Sequence, residues 1–372
     1  MKHGGAFFLI GMVLLGWFEP PRVFALEDPP WLVLEKGKQL FRKGEYGTAL
    51  GYFEQARDLQ KKRYERLRED FITILSVAEV RRLGDSLPDV ERYISEKNLQ
   101  RGKEIIQELQ YRASSERLNN SVQRALEILK ELQQYPEAEY WIGEVYRVTG
   151  ETAIALMQYK KAYEQRAALQ EPDFALHILY AMADVYKASG EYIEYEKTLL
   201  AILENDPWWV KDTFIKKAMQ RTLFQEGIEK FLTIYRYDKA LFEKAHRYLG
   251  FYYYQTGRYE RAAEHFIFSF LIQNTLLIEE LKRQVFEYTY TTYPDMLGRL
   301  MKVPTILEYV KTEEYFKMLY YGAASFYAVG ERFLAQKIWG YVATYSAEQE
   351  WKSRSSRQLQ RPFIEPVNDK PW

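Results

Sequence analysis

The apolar residues of this chain follow a helical spacing that is broken five times in the same way. A small residue is followed three positions on by a ring or leucine, then by glycine, then by alanine or tyrosine, then by a bulky apolar residue. The first stretch reads Gly37, Leu40, Gly44, Tyr46, Ala49, Phe53 and Ala56, and the second Gly143, Tyr146, Gly150, Ala155, Tyr159 and Ala162. The third places Ala183, Tyr186, Gly190, Tyr192, Tyr195, Leu199 and Ile202 at the same offsets. Gly250, Tyr253, Gly257, Tyr259, Ala262 and Phe266 form the fourth, and Ala323, Phe326, Gly330, Ala335, Trp339 and Val342 the fifth. Offsets of three and four put the members of each set on one helix face. Each stretch therefore predicts a first helix, a turn at the glycine and a second helix, since glycine reaches left-handed geometry without steric cost. The small residue that opens each stretch predicts the close approach of a neighbouring helix.

From Gly37 to Ala323 is 286 residues, or eight steps of 35.75. The intervals between the clear stretches are 106, 40, 67 and 73 residues, which are three, one, two and two steps. Degenerate helix pairs are expected in the gaps: an amphipathic helix at 65–83 ended by Gly84, a stripe of Ala125, Leu126, Leu129 and Leu132 before Pro136, two helical patterns in 208–236 divided near Gly227, and Leu276, Leu277, Leu281 and Phe286 before Pro294. In period and in the order of small, aromatic and glycine positions the chain resembles the tetratricopeptide repeat family, whose unit is about 34 residues of helix, turn and helix. That resemblance implies an all-α fold, a right-handed α-solenoid of about nine stacked helix pairs over residues 26–346. A lone pair cannot bury both of its faces, so each unit needs a neighbour.

The ends of the chain read differently. Lys2 and His3 precede an apolar run from Ala6 to Phe18, followed by Pro20, Pro21 and Arg22. Thirteen residues are too few to span a bilayer, which takes about 20, but they suit the core of a secretory signal with cleavage after Ala25. Residues 1–25 are thus expected to be a signal peptide and the protein to be exported, periplasmic or secreted. After residue 346 the periodicity stops, and 347–372 reads as a mobile tail too poor in apolar residues to offset its ordering entropy.

Composition narrows the chemistry. Removing residues 1–25 takes out Lys2, Arg22 and Glu19 and leaves acids ahead of bases by one, which argues against nucleic acid or an anionic membrane as partner. The chain has no cysteine, so disulfides, thiolate metal sites and a lipid-modified cysteine are excluded. The remaining histidines, His177, His246 and His265, stand in no metal-binding motif, and no phosphate-cradling glycine loop or nucleophile elbow occurs. No enzyme activity, metal or cofactor is expected. Aromatic residues make up 16% of the chain, among them 31 tyrosines, and tyrosine is favoured at protein interfaces.

The resemblance implies that first helices line the inner wall of the solenoid, so their exposed positions are the candidate contacts. By register these are Tyr140, Glu144 and Arg147; His177, Tyr180, Asp184 and Lys187; Arg247, Phe251 and Tyr254; and Lys317, Tyr320 and Tyr327. The lysine and asparagine pair of the chaperone-tail-binding members is replaced here by Leu34/Lys38, Tyr140/Glu144, Tyr180/Asp184, Arg247/Phe251 and Tyr320/Ala324, so that clamp is absent. The expectation is a non-enzymatic scaffold or adaptor of a bacterial envelope that binds partner proteins and is able to self-associate. Exported members of the family suggest envelope assembly, cell-wall synthesis, secretion or a periplasmic flagellar motor as settings. The alternative is a ligand- or peptide-binding module serving a transporter or secretion system.

Overall fold

The computed structural model describes residues 28–77, 133–210 and 213–365, which form sixteen α-helices and, among the described residues, no strand. The expected signal peptide, the Ala125–Leu132 stripe and positions 366–372 lie outside the described residues. The chain divides into two compact units, Met1–Leu118 and Asn119–Trp372.

In the first unit α1 (Pro30–Arg42) and α2 (Tyr46–Val77) form a helical hairpin. Proline opens α1, where its missing amide costs nothing. Val33 and Leu34 of α1 are buried with Ala49, Phe53 and Ala56 of α2. A Cβ added at Gly37 would stand 2.5 Å from the Phe53 ring, so the small residue is where the two helices meet. The helix expected at 65–83 is not a separate element at its start: α2 runs on without a break to Val77.

The second unit contains three helical hairpins of the repeated kind and a fourth with longer arms. They are α3 (Pro136–Val148) with α4 (Thr152–Glu164), α5 (Phe174–Ala188) with α6 (Tyr192–Leu203), α10 (Ala240–Gln255) with α11 (Tyr259–Gln284), and α14 (Tyr315–Ala328) with α15 (Arg332–Tyr345). Between them lie α7 (Pro207–Val210), α8 (Thr213–Arg221), a π-turn at Thr222–Glu226, α9 (Ile228–Ile234), α12 (Tyr293–Leu300) and α13 (Pro304–Thr312). A last helix, α16, spans Gln349–Gln360.

All five hairpins, α1/α2 included, turn by one device. Gly44, Gly150, Gly190, Gly257 and Gly330 have φ of 81°, 89°, 76°, 72° and 97°, as the glycine positions predict. In each, the amide after the glycine donates back to the helix: Glu45 to the Leu40 carbonyl at 3.0 Å, and Glu151 to Tyr146, Glu191 to Tyr186, Arg258 to Tyr253 and Glu331 to Phe326 at 2.8 Å. This is the Schellman pattern, which satisfies carbonyls the helix leaves open. The close-approach rule also recurs. A Cβ at Gly143 would meet the Tyr159 ring at 2.6 Å, and one at Gly250 the Phe266 ring at 2.8 Å.

Each hairpin of the second unit packs on the next in chain order: α4 on α5, α6 on α10, and α10 with α11 on α14. The segments between them do not interpose further pairs. Helices α8 and α9 pack on α11, α12 touches α11 and α15, and α13 packs on α14. Leu276, Leu277 and Leu281 extend α11 instead of starting a new helix, and Phe286 is 90% exposed. Helix α9 buries Ile228, Phe231 and Leu232 on one side and docks on α11, while its Glu229 accepts from Lys337 of α15 at 3.0 Å.

The reading of 347–372 as a mobile tail is corrected over its described part. Helix α16 packs on α15 and α14, burying Trp351 against the rings of Tyr320 and Tyr321, with centroids 5.6 and 6.0 Å apart. Ser355 and Gln358 are buried beside it.

Candidate functional site

Three first helices and α13 surround a cleft of about 490 Å³ in the second unit. Helix α3 contributes Tyr140, Glu144 and Arg147, spaced by four and three and therefore on one face. Helix α5 contributes His177, Tyr180 and Asp184 by the same rule. The start of α10 adds Glu243 and Lys244, and α13 with the residue after it adds Tyr309 and Glu313.

Its walls are organised by ion pairs with aromatic backing. Arg147 donates to both oxygens of Glu144, at 2.7 and 3.2 Å, and the Tyr159 hydroxyl donates to the same carboxylate at 2.5 Å. Burial, with Glu144 alongside, holds the Tyr140 and Tyr159 hydroxyls well above the ordinary tyrosine range, so both stay protonated donors. The Tyr180 hydroxyl donates to the Leu241 carbonyl at 2.6 Å and accepts from the Ala245 amide at 3.0 Å, which fixes α10 against α5. Lys244 lies 3.6 Å from Asp184 and sits over the Tyr180 and Tyr248 rings. Lys187 stands over Tyr248 at 5.0 Å, and burial pushes its ammonium below the usual lysine range.

Behind the cleft Arg247 binds three carboxylates: Glu243 at 3.1 Å, Glu313 at 2.7 Å and Glu314 at 3.1 Å. Glu243 also accepts from Ser269 at 2.7 Å and Gln273 at 2.6 Å. Burial pushes the Glu243 carboxyl upward against the pull of Arg247 and these donors. The network joins α10 to α11 and to the α13–α14 turn, where Glu314 adopts a φ of 48°.

Of the thirteen contact positions expected from register, six line this cleft: Tyr140, Glu144, Arg147, His177, Tyr180 and Asp184. Lys187 is half-buried. Lys317 is also half-buried, over the Phe251 ring and paired with Glu314 at 2.9 Å. Tyr327 is half-buried with its ring 5.8 Å from Trp339. Six expectations of exposure are corrected. Glu144 and Tyr180, although they line the cleft, are each only 8% exposed, and Arg247, Phe251, Tyr254 and Tyr320 are 3%, 1%, 2% and 0% exposed. Arg247 is consumed by its carboxylates, Phe251 by the Phe266 and Tyr321 rings, and Tyr254 and Tyr320 by the segment that follows α16. Register missed Glu243, Lys244, Tyr309 and Glu313. The first two lie one turn ahead of the expected positions on α10, and α13 stands outside the repeat.

The histidines show a second polar centre. His246 and His265 are buried with their Nδ1 atoms 3.0 Å apart, and His246 Nε2 lies 3.3 Å from Asp206. Asp206 also accepts from the Tyr237 hydroxyl at 2.6 Å and from the Trp208 and Trp209 amides, which outweighs burial and holds its carboxyl below the usual range. Among the described residues no group of three or more His, Cys, Asp or Glu is placed to hold a metal. Nor is any helix among them long and apolar enough to cross a membrane.

No protein-family model matches the chain. It is similar to an uncharacterised protein of Treponema pallidum (strain Nichols), 27% identical over 336 residues that cover 89% of this chain and 90% of that protein.

Proposed function

We propose that this chain is an exported, non-enzymatic scaffold whose helical hairpins are tetratricopeptide-like repeats, stacked in the second unit as a right-handed α-solenoid, and that it binds a partner protein through the cleft between α3, α5, α10 and α13. The observation that carries this reading is the convergence of six register-predicted residues from two first helices on one cleft. The recurrent glycine turn and the small-residue contacts support the repeat assignment. Seven of the fourteen lining residues are acidic, basic or histidine, more charged groups than the few polar ones that small-ligand pockets place in an apolar lining. Tyrosines flanked by salt bridges instead suit a polar peptide segment, since they offer rigid contact area with a hydroxyl at the tip. The apolar run at Ala6–Phe18 supports export to the bacterial envelope.

Capture from native cells tests the reading. Wild-type protein should retain one recurrent set of envelope proteins, and the charge-reversed pair Asp184→Lys with Lys244→Glu should lose it while keeping wild-type helix content. Retention of the same set by the reversed pair would place binding elsewhere. A protein recovered alone with a tightly held small molecule would favour the transport-ligand reading.

A further inference from the structure

The segment after α16 lies on the face that first helices present to the cleft. Tyr254 and Tyr320 occupy the same repeat positions as Arg147 and Tyr140 of the cleft, four residues after and three before the small residue. Here the face is filled from within the chain. The Tyr320 hydroxyl donates to the Glu365 carboxylate, and the Tyr254 hydroxyl donates to the Glu365 backbone carbonyl at 2.8 Å. Arg354 Nε reaches the same carboxylate at 3.3 Å. Gln358 braces the arrangement, donating to the Tyr320 hydroxyl at 3.1 Å and accepting from the Phe363 amide at 2.9 Å.

The hold is polar and local. Phe363 and Ile364 leave 44% and 41% of their surface exposed, so little apolar burial retains the segment. The contacts converge on one residue whose side chain is 15% exposed. Beneath it Arg354 lies over the Tyr320, Tyr321 and Trp351 rings at 5.0, 5.5 and 4.9 Å. A guanidinium fixed on an aromatic platform, with tyrosine hydroxyls beside it, is built to receive a carboxylate.

We propose that Tyr254, Tyr320 and Arg354 form an acceptor subsite for an extended peptide bearing an acidic side chain, and that residues 361–365 occupy it in cis and exchange for the acidic segment of a partner. This extends the reading of the first-helix face as a protein-binding surface. A tethered segment competes at an effective concentration of order millimolar. Weakening the tether's grip therefore opens the subsite to peptides in trans.

The test uses the full chain and a fluorescent peptide with the sequence of residues 360–368, followed by anisotropy. Glu365→Ala protein should bind it at least about tenfold more tightly than wild type, the scale of a lost charge-assisted hydrogen bond. A peptide with glutamine in place of the glutamate should not bind. Tyr254→Phe in the Glu365→Ala background should weaken binding without changing helix content, which separates recognition from misfolding. Equal affinity for wild type and Glu365→Ala, indifference to the peptide carboxylate, or no binding to either protein would overturn the proposal. Partner capture at the α3–α5 cleft is read separately, so loss of this subsite leaves that result standing.

Discussion

Gly143 and Gly250 are defined by what stands opposite them. Their missing side chains face the rings of Tyr159 and Phe266, and a methyl group at either position would enter a ring already fixed in the core. Gly143→Ala is expected to destabilise by about 1–3 kcal/mol, the usual cost of overpacking. Gly340→Ala, with nothing within 4 Å of the added carbon, should stabilise by up to about 1 kcal/mol through helix propensity. Denaturant unfolding of the two variants checks both signs. The buried histidines give a second residue-scale prediction. Burial holds His246 and His265 below their unfolded value of 6.5, for His246 against the opposing pull of Asp206, and for His265 reinforced by His246, Lys216 and Arg261, which oppose a charge on it. Each is neutral when folded and gains a proton on unfolding in acid, so its contribution is complete above pH 6.5 and is lost as pH falls toward the folded pKa. His265→Asn keeps a donor for His246 and should flatten the loss of stability between pH 7 and 5. An unchanged slope would show that other groups set it.

Helices are joined here by buried charge as well as by apolar packing. Arg247 ties α10 to α11 and the α13–α14 turn, and its removal strands the buried Glu243 carboxylate. Arg247→Ala should cost about 3–5 kcal/mol, and adding Glu243→Gln should recover part of it, a coupling that a double-mutant cycle of unfolding free energies measures. The turns and hairpins were legible in sequence because each depends on one glycine and one small residue at fixed offsets. Helix α16 was not: its mean hydrophobic content is low, and it is anchored by one tryptophan and by Gln358, whose two hydrogen bonds leave no apolar periodicity. Repeat register found the face carrying Tyr254 and Tyr320 but not the segment that covers it, because the residue that grips them, Glu365, lies outside any repeat. The same limit hid Tyr309 and Glu313 of the cleft wall.

At the scale of the whole molecule, the regular structure among the described residues is helical, and the polar groups singled out above lie on helix faces. In the second unit one first-helix face is open at α3 and α5 and filled from within the chain at α10 and α14. An open cleft and a self-occupied subsite on equivalent positions are the arrangement expected of a binding protein. The most direct measurement is site-specific photocrosslinking in native cells, with the probe at His177 in the cleft and, as control, at Ile193, which is 70% exposed on a second helix. The account predicts one discrete protein adduct from position 177, lost when Asp184 and Lys244 are charge-reversed, and none from position 193. The same adduct from both positions, or none from 177 in cells that express the protein at its native level, would contradict it.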